Sequence, residues 1–163
     1  MTAVIEEWVK AWPFGHLRLG RSHKGLRFLE FVDGKTADKS KNSSLSPEAQ
    51  SINKTLDAYL GGDKTDLCRI PIDIEGATPF QQQVWKALQS IPYGETRSYG
   101  WVSQAINNPK AMRAVGQANR RNPIPLVVPC HRVVAHDGGL GGFQGTKGLD
   151  KKAFLLELEQ SAI

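Results

Sequence analysis

The chain has 163 residues, 40% of them hydrophobic, and a formal net charge of +5. That length holds one large domain or two small ones, and the apolar content supports a sizeable core. No apolar run reaches the length of a membrane span, and Met1-Thr2-Ala3-Val4-Ile5-Glu6-Glu7 lacks the basic and apolar regions of a secretory signal.

Two cysteines, Cys68 and Cys130, make no disulfide framework, and His16, His23, His131 and His136 show no ligand spacing with either. The expectations are reduced thiols, a cytoplasmic protein, and no metal or cofactor.

Residues 1–75 read as a small α/β domain. His16–Gly20 and Leu26–Val32 flank Ser22-His23-Lys24-Gly25 as a hairpin would. Residues 34–46 read as a polar loop. Ser46-Pro47-Glu48 is a helix start, with a capping hydroxyl, proline in the first turn and an acid against the dipole; Gly61-Gly62 ends that helix. Leu67–Ile74 is a further strand candidate.

The character changes near Glu75-Gly76-Ala77. Residues 76–163 read as a mostly helical domain, so the whole is an α/β (α+β) chain with a short N-terminal sheet. Thr78 and Gln81 fit a capping box, and Phe80, Val84, Leu88 and Ile91 follow at helical spacing up to Pro92-Tyr93-Gly94. Ser98 caps a short helix to about Ile106. Asn107-Asn108-Pro109 breaks the chain, and Pro109 restarts a helix to about Arg120. Two short helices across a tight turn resemble a helix-turn-helix.

No Asp or Glu falls between Thr96 and His136, where Arg97, Lys110, Arg113, Arg120, Arg121 and Arg132 all lie. A solvated basic face and a nucleic-acid surface both fit that run. In the second helix, Arg113, Gln117 and Arg120 or Arg121 share a face, while Met112 and Val115 are expected to point toward a core. Ala111, Ala114, Gly116 and Ala118 keep the helix thin. Gly116 costs roughly 1 kcal/mol in a helix interior. Its reason is either close packing on a neighbouring helix or close approach to DNA.

The chemical centre is Pro123-Ile124-Pro125-Leu126-Val127-Val128-Pro129-Cys130-His131-Arg132, read as an apolar strand broken by prolines. A buried cysteine is commonly just a small hydrophobe. Here His131 and Arg132 follow at once, either able to favour a thiolate, and Gly138–Gly145 is a glycine-dense loop suited to a flat ligand. On a strand, neighbouring side chains oppose one another, so His131 would reach the sulfur through a water. Glu157 and Glu159 on the last helix are the carboxylates available to orient it.

Pro129-Cys130-His131-Arg132-Val133 resembles the signature of the O6-alkylguanine-DNA alkyltransferases. The resemblance extends over residues 77–160, through Phe80–Trp85, Ile91–Thr96, Ser98-Tyr99-Gly100, Asn108–Ala111, Arg113–Gly116, Asn122-Pro123 and Leu155–Glu159. It implies a single-turnover methyltransferase that moves an alkyl group from O6 of guanine, with O4 of thymine a further candidate, onto Cys130. The partner is double-stranded DNA carrying the lesion, the protein a monomer without membrane contact. By the same resemblance His131 acts as base through a water and Glu159 orients it. Tyr99 protonates the leaving guanine and crowds the DNA backbone, and Arg113 plugs the base stack after flipping. Asn122 is a hinge. Asn108, Ala114, Gly116, Gln117, Arg120 and Arg121 belong to the DNA-reading surface.

Two departures stand out. No cysteine precedes Cys68, so the structural zinc site of some members is absent, and Phe143 replaces a tyrosine whose hydroxyl reaches the lesion oxygen in some members. The loop Gln144–Gly148 would then supply a backbone donor. Three other readings remain open at this level: a lesion binder without chemistry, against which Cys130 itself argues; a helix-turn-helix regulator; and a cysteine hydrolase.

Overall fold

A computed structural model describes residues 3–33, 44–141 and 148–162. The chain begins with a three-stranded antiparallel meander of β1 (Glu6–Trp12), β2 (Gly15–Arg21) and β3 (Leu26–Val32). The hairpin expected between β2 and β3 is there. β1 has no strand signature in the sequence, because its apolar Trp8, Val9 and Trp12 do not alternate cleanly with its charges. Pairing of Trp8 with Leu19, and of Leu19 with Leu29, lines one sheet face with fully buried side chains. On strand residues outside that core, Arg21 bonds Glu6 at 2.6 Å and Arg18 bonds Glu7 and Glu30, cross-strand pairs that favour this register.

Helix α1 (Pro47–Leu60) starts where expected. The Ser46 hydroxyl accepts from Ala49 N, Pro47 fills the first turn, and Gly61 ends the helix. Ala49, Ile52, Leu56 and Tyr59 form its buried stripe. The strand expected over Leu67–Ile74 is not formed. A 3-10 turn, Leu67–Arg69, occupies its first half, and a single bridge from Leu26 to Ile72 is all the pairing that follows. Pro71 lacks the N–H that a continuing ladder needs.

Helix α2 (Pro79–Gln89) carries the expected capping box between Thr78 and Gln81, and buries Val84, Trp85 and Leu88. It stops at Ser90, short of Pro92. Then follow β4 (Arg97–Ser98), α3 (Tyr99–Ala105), α4 (Met112–Arg120), β5 (Val133–Val134) and α5 (Leu149–Ser161). Ser98 caps α3 as expected. Helix α4 begins at Met112 rather than Pro109, after a turn in which Asn107 adopts φ 59°. The later start turns Met112 outward, 53% exposed, where a core position had been expected; Val115 is buried. Buried apolar side chains of the sheet, the helices and the Ile124–Val128 segment make one contiguous core. Among the described residues, no helix is long and apolar enough to cross a membrane.

Candidate active site and DNA-reading helix

Cys130, His131 and Arg132 do not lie on a strand. They form a 3-10 turn, reached through the turns that follow α4, and only Val133–Val134 extends into a strand. Pro123, Pro125 and Pro129 remove the N–H groups a strand would need, and Leu126 takes φ 73°, a left-handed conformation unusual for a bulky residue. With about three residues per turn, successive side chains no longer oppose one another, so the opposite-face argument for His131 does not apply. Cys130 and Arg132 are each 1% exposed, and His131 is fully buried.

Glu159 on α5 is the hub of this turn. His131 Nε2 lies 2.6 Å from Glu159 Oε2, and Arg132 Nε donates to Oε1 at 2.9 Å. Tyr59 Oη donates to Oε2 at 2.6 Å, and Gly94 N to Oε1 at 3.0 Å. Of the two carboxylates the last helix offers, Glu157 faces solvent and Glu159 is buried. Burial alone would raise the Glu159 carboxyl, but the hydrogen bond from His131, then the hydrogen bonds and charge of Arg132, outweigh it and hold it well below the usual carboxylate range. Burial lowers His131, against the opposing pull of Glu159, so the imidazole rests neutral.

An ionised carboxylate only accepts, so Nε2 carries the ring proton. That leaves Nδ1 as a bare acceptor, and it has no hydrogen-bond partner among the described residues. A neutral imidazole with one nitrogen anchored and the other open is arranged to take a proton.

Arg132 is therefore not part of the basic face suggested by the charge run. Its guanidinium is spent on Glu159 and on the Ile91 carbonyl. Lys152, unremarked in the sequence, is fully buried on α5 with Nζ 2.6 Å from the Val133 carbonyl. Burial lowers its ammonium to about 8. Lys152 shares the buried stripe of Leu155 and Glu159, a spacing that could have flagged it. Cys68 is half-buried, its Sγ 3.4 Å from the Val127 carbonyl, and burial with Asp66 pushes its thiol up to about 12.

Asn122 joins α4 to the cysteine turn. Its Nδ2 donates to Val128 O at 2.7 Å while its Oδ1 accepts from Ile124 N at 2.9 Å. Asn119, at the end of α4, directs its Nδ2 toward Cys130 O at 3.5 Å. The parallel pairing of Arg97 with Val133 and Ser98 with Val134 sets the start of α3 beside the chain leaving Arg132. Tyr99 stands at that start. A Cβ placed on Gly141, φ 69°, would sit 3.0 Å from Tyr99 Oη, so the glycine lets the loop backbone reach the hydroxyl. Phe143 and the loop proposed to replace its missing hydroxyl lie outside the described residues, apart from Gly148.

Helices α3 and α4 form the helix-turn-helix, with Trp85 Nε1 bonded to Ala118 O to hold α4 on α2. Val115, Ala118 and Asn119 are buried; Arg113, Ala114, Gln117, Arg120, Arg121 and Asn108 are exposed. Among the described residues none of the three arginines has an acidic partner. A Cβ on Gly116 would meet nothing within 4 Å. Close packing on a neighbouring helix is thus not the reason for this glycine.

A buried cysteine backed by an imidazole–carboxylate pair, next to a basic helix-turn-helix, defines a nucleophilic protein that works on nucleic acid. Residues 79–161 match the family model described as 6-O-methylguanine DNA methyltransferase, DNA binding domain, and residues 7–74 match the ribonuclease-like domain of the same protein. The methylated-DNA–protein-cysteine methyltransferase of Methanosarcina acetivorans is 44% identical over 91% of this chain and 94% of its own. The crystal structure of the Mycobacterium tuberculosis O6-methylguanine methyltransferase superposes with a TM-score of 0.77 at 39% identity, covering 97% of this chain and 94% of that one. The M. tuberculosis OGT in complex with DNA gives a TM-score of 0.77 at 40% identity, with the same coverage. The chain belongs to the methylated-DNA–protein-cysteine methyltransferase family.

Proposed function

We propose that this protein repairs DNA by direct reversal, moving one alkyl group from O6 of guanine to Cys130. The observation that carries this reading is the His131–Glu159 pair at 2.6 Å beside Cys130, with Nδ1 left open. The Cys130 proton passes to His131, relayed by a water, and Glu159 stabilises the imidazolium that results. The thiolate then attacks the alkyl carbon. A carbon–sulfur bond forms as the carbon–O6 bond breaks, and the electron pair leaves on guanine, which takes a proton from Tyr99. A thioether is a stable product with a poor leaving group, and the chain's other thiol, Cys68, is held protonated, so each molecule acts once.

The target carbon is inaccessible inside a base stack, so the nucleotide must be flipped out at a cost of a few kcal/mol. Arg113, exposed on α4, fills the gap. Asn108, Ala114, Gly116, Gln117, Arg120 and Arg121 form the surface against the DNA, with the last two on phosphates. Asn122 couples that helix to the cysteine turn. Residues 1–75 and 76–163 act as an N-terminal α/β domain and a DNA-binding acceptor domain, and the reduced thiol suits a cytoplasmic monomer.

The test is intact-protein mass after incubation with an O6-methylguanine duplex. The expected result is one added methyl group on Cys130, with none on Cys130→Ala. Transfer that persists in Cys130→Ala overturns the assignment.

A further inference from the structure

Glu159 takes one of its hydrogen bonds from far away in the sequence. Tyr59, at the end of α1, lies 100 residues from it. The tyrosine is fully buried, and Glu159 Oε2 is the hydrogen-bond partner of its hydroxyl. That same oxygen also receives His131 Nε2 at 2.6 Å and Arg132 at 3.2 Å.

We propose that Tyr59 is a positioning residue of the alkyl-transfer site: its hydroxyl, delivered by the N-terminal helix, shares Glu159 Oε2 with His131 and so sets how strongly Glu159 draws on the imidazole. The proposal rests on the alkyl-transfer reading above and gives the N-terminal part of the chain a place in the reacting assembly.

The argument is one of competition. Oε1 serves Arg132 and Gly94, and Oε2 serves three donors where a carboxylate oxygen has about two lone-pair sites. Donors on one oxygen weaken one another, so removing Tyr59 Oη strengthens the bond to His131. Tyr59 suits this work because it cannot compete as a charge. Burial, reinforced by Glu159, holds its phenol protonated well above the usual range. The other titratable groups around the pair are Arg132 and Cys130 on the same turn, Lys152 on α5, Cys68 on the Leu67–Arg69 turn, and Tyr93. Tyr93 packs its ring edge-on to Tyr59 at 6.0 Å, but its own hydroxyl has no partner among the described residues. It is a built-in control.

The sign follows from the charge. With the Tyr59 hydroxyl gone, Glu159 stabilises protonated His131 more, so His131 stays protonated to higher pH and loses its capacity as a base there. Single-turnover transfer from an O6-methylguanine duplex, followed by intact mass from pH 5 to 9, reads this directly. In Tyr59→Phe the acid limb of the rate profile should move up by about half to one pH unit, with the alkaline plateau little changed. In Tyr93→Phe it should stay in place. Site-specific 3-fluorotyrosine at position 59 keeps the shape and makes a stronger donor, and should move the limb down. That protein decides the matter if Tyr59→Phe does not fold. An unmoved limb in a folded Tyr59 variant, or equal shifts in the Tyr59 and Tyr93 variants, overturns the positioning role. Wild type that gains no methyl group overturns the alkyl-transfer reading itself.

Discussion

His131 Nε2 sits 2.6 Å from Glu159 Oε2, with both side chains closed off from solvent. The pair links a 3-10 turn to the last helix, and the carboxylate is held ionised, against its burial, by hydrogen bonds from His131 and from Arg132, which bonds both of its oxygens. Chemistry and stability therefore meet at one residue.

Glu159→Gln should lose on both counts. Arg132 is left as a buried charge without a counter-charge, a loss of about 3–5 kcal/mol. Because the folded-state pKa of Glu159 is depressed, its stabilising contribution is present above the unfolded carboxylate pKa and is lost as pH falls below it. Urea midpoints from pH 3 to 7 should show wild type falling toward the Glu159→Gln variant below about pH 4.5. A constant gap across that range would contradict the ionised carboxylate.

Lys152 should oppose stability at neutral pH. Its folded pKa of about 8 lies below the ordinary lysine value, so between about pH 8 and 10.5 the unfolded chain binds more protons and stability rises with pH. Lys152→Met removes that rise. Denaturant curves at pH 7, 8, 9 and 10 should show a difference between the two proteins that changes by at most about 3 kcal/mol. Comparison with the variant is needed because Cys68, raised by burial, pulls the other way.

Gly116→Ala separates folding from DNA binding. Open space around the added Cβ means the helix should gain up to about 1 kcal/mol, seen as a higher Tm. Affinity for duplex DNA should fall, because the methyl group would stand on the surface proposed to face the DNA. A variant with higher Tm and unchanged Kd would place Gly116 off the interface. Arg113→Ala should slow repair of duplex more than transfer from free alkylguanine. Neutralising Arg120 or Arg121 should reduce the salt slope of binding by about one unit per lost phosphate contact.

The alkylated protein should be less stable than the free one. Cys130 is 1% exposed, among fully buried Val127 and Val128. Extra bulk in so tight a site costs about 1–3 kcal/mol. Tm measured before and after reaction with a small alkylguanine should fall, alkyl uptake should level off at one equivalent, and Cys68→Ser should behave as wild type. A product that melts at or above the free form would refute the packing argument but not the chemistry.

Local signals in the sequence were enough for the elements that local physics controls. Ser46, Thr78 and Ser98 cap helices because each hydroxyl answers an amide three residues on, and the β2–β3 hairpin follows from alternation about a turn. The cysteine signature and its likeness to a known family singled out Cys130, His131 and Glu159 by sequence alone. What local pattern could not decide is where the chain departs from periodicity. Three prolines and a left-handed Leu126 fold the expected strand into turns that end in a 3-10 turn, and Pro71 leaves the strand expected before α2 with a single bridge. Tertiary packing alone showed that Arg132 leaves the basic face for Glu159, that Tyr59 reaches the same carboxylate from 100 residues away, and that Lys152 is buried. The reason is physical: a buried carboxylate must collect donors from whatever elements surround it, and those neighbours are set by the packing of the whole chain.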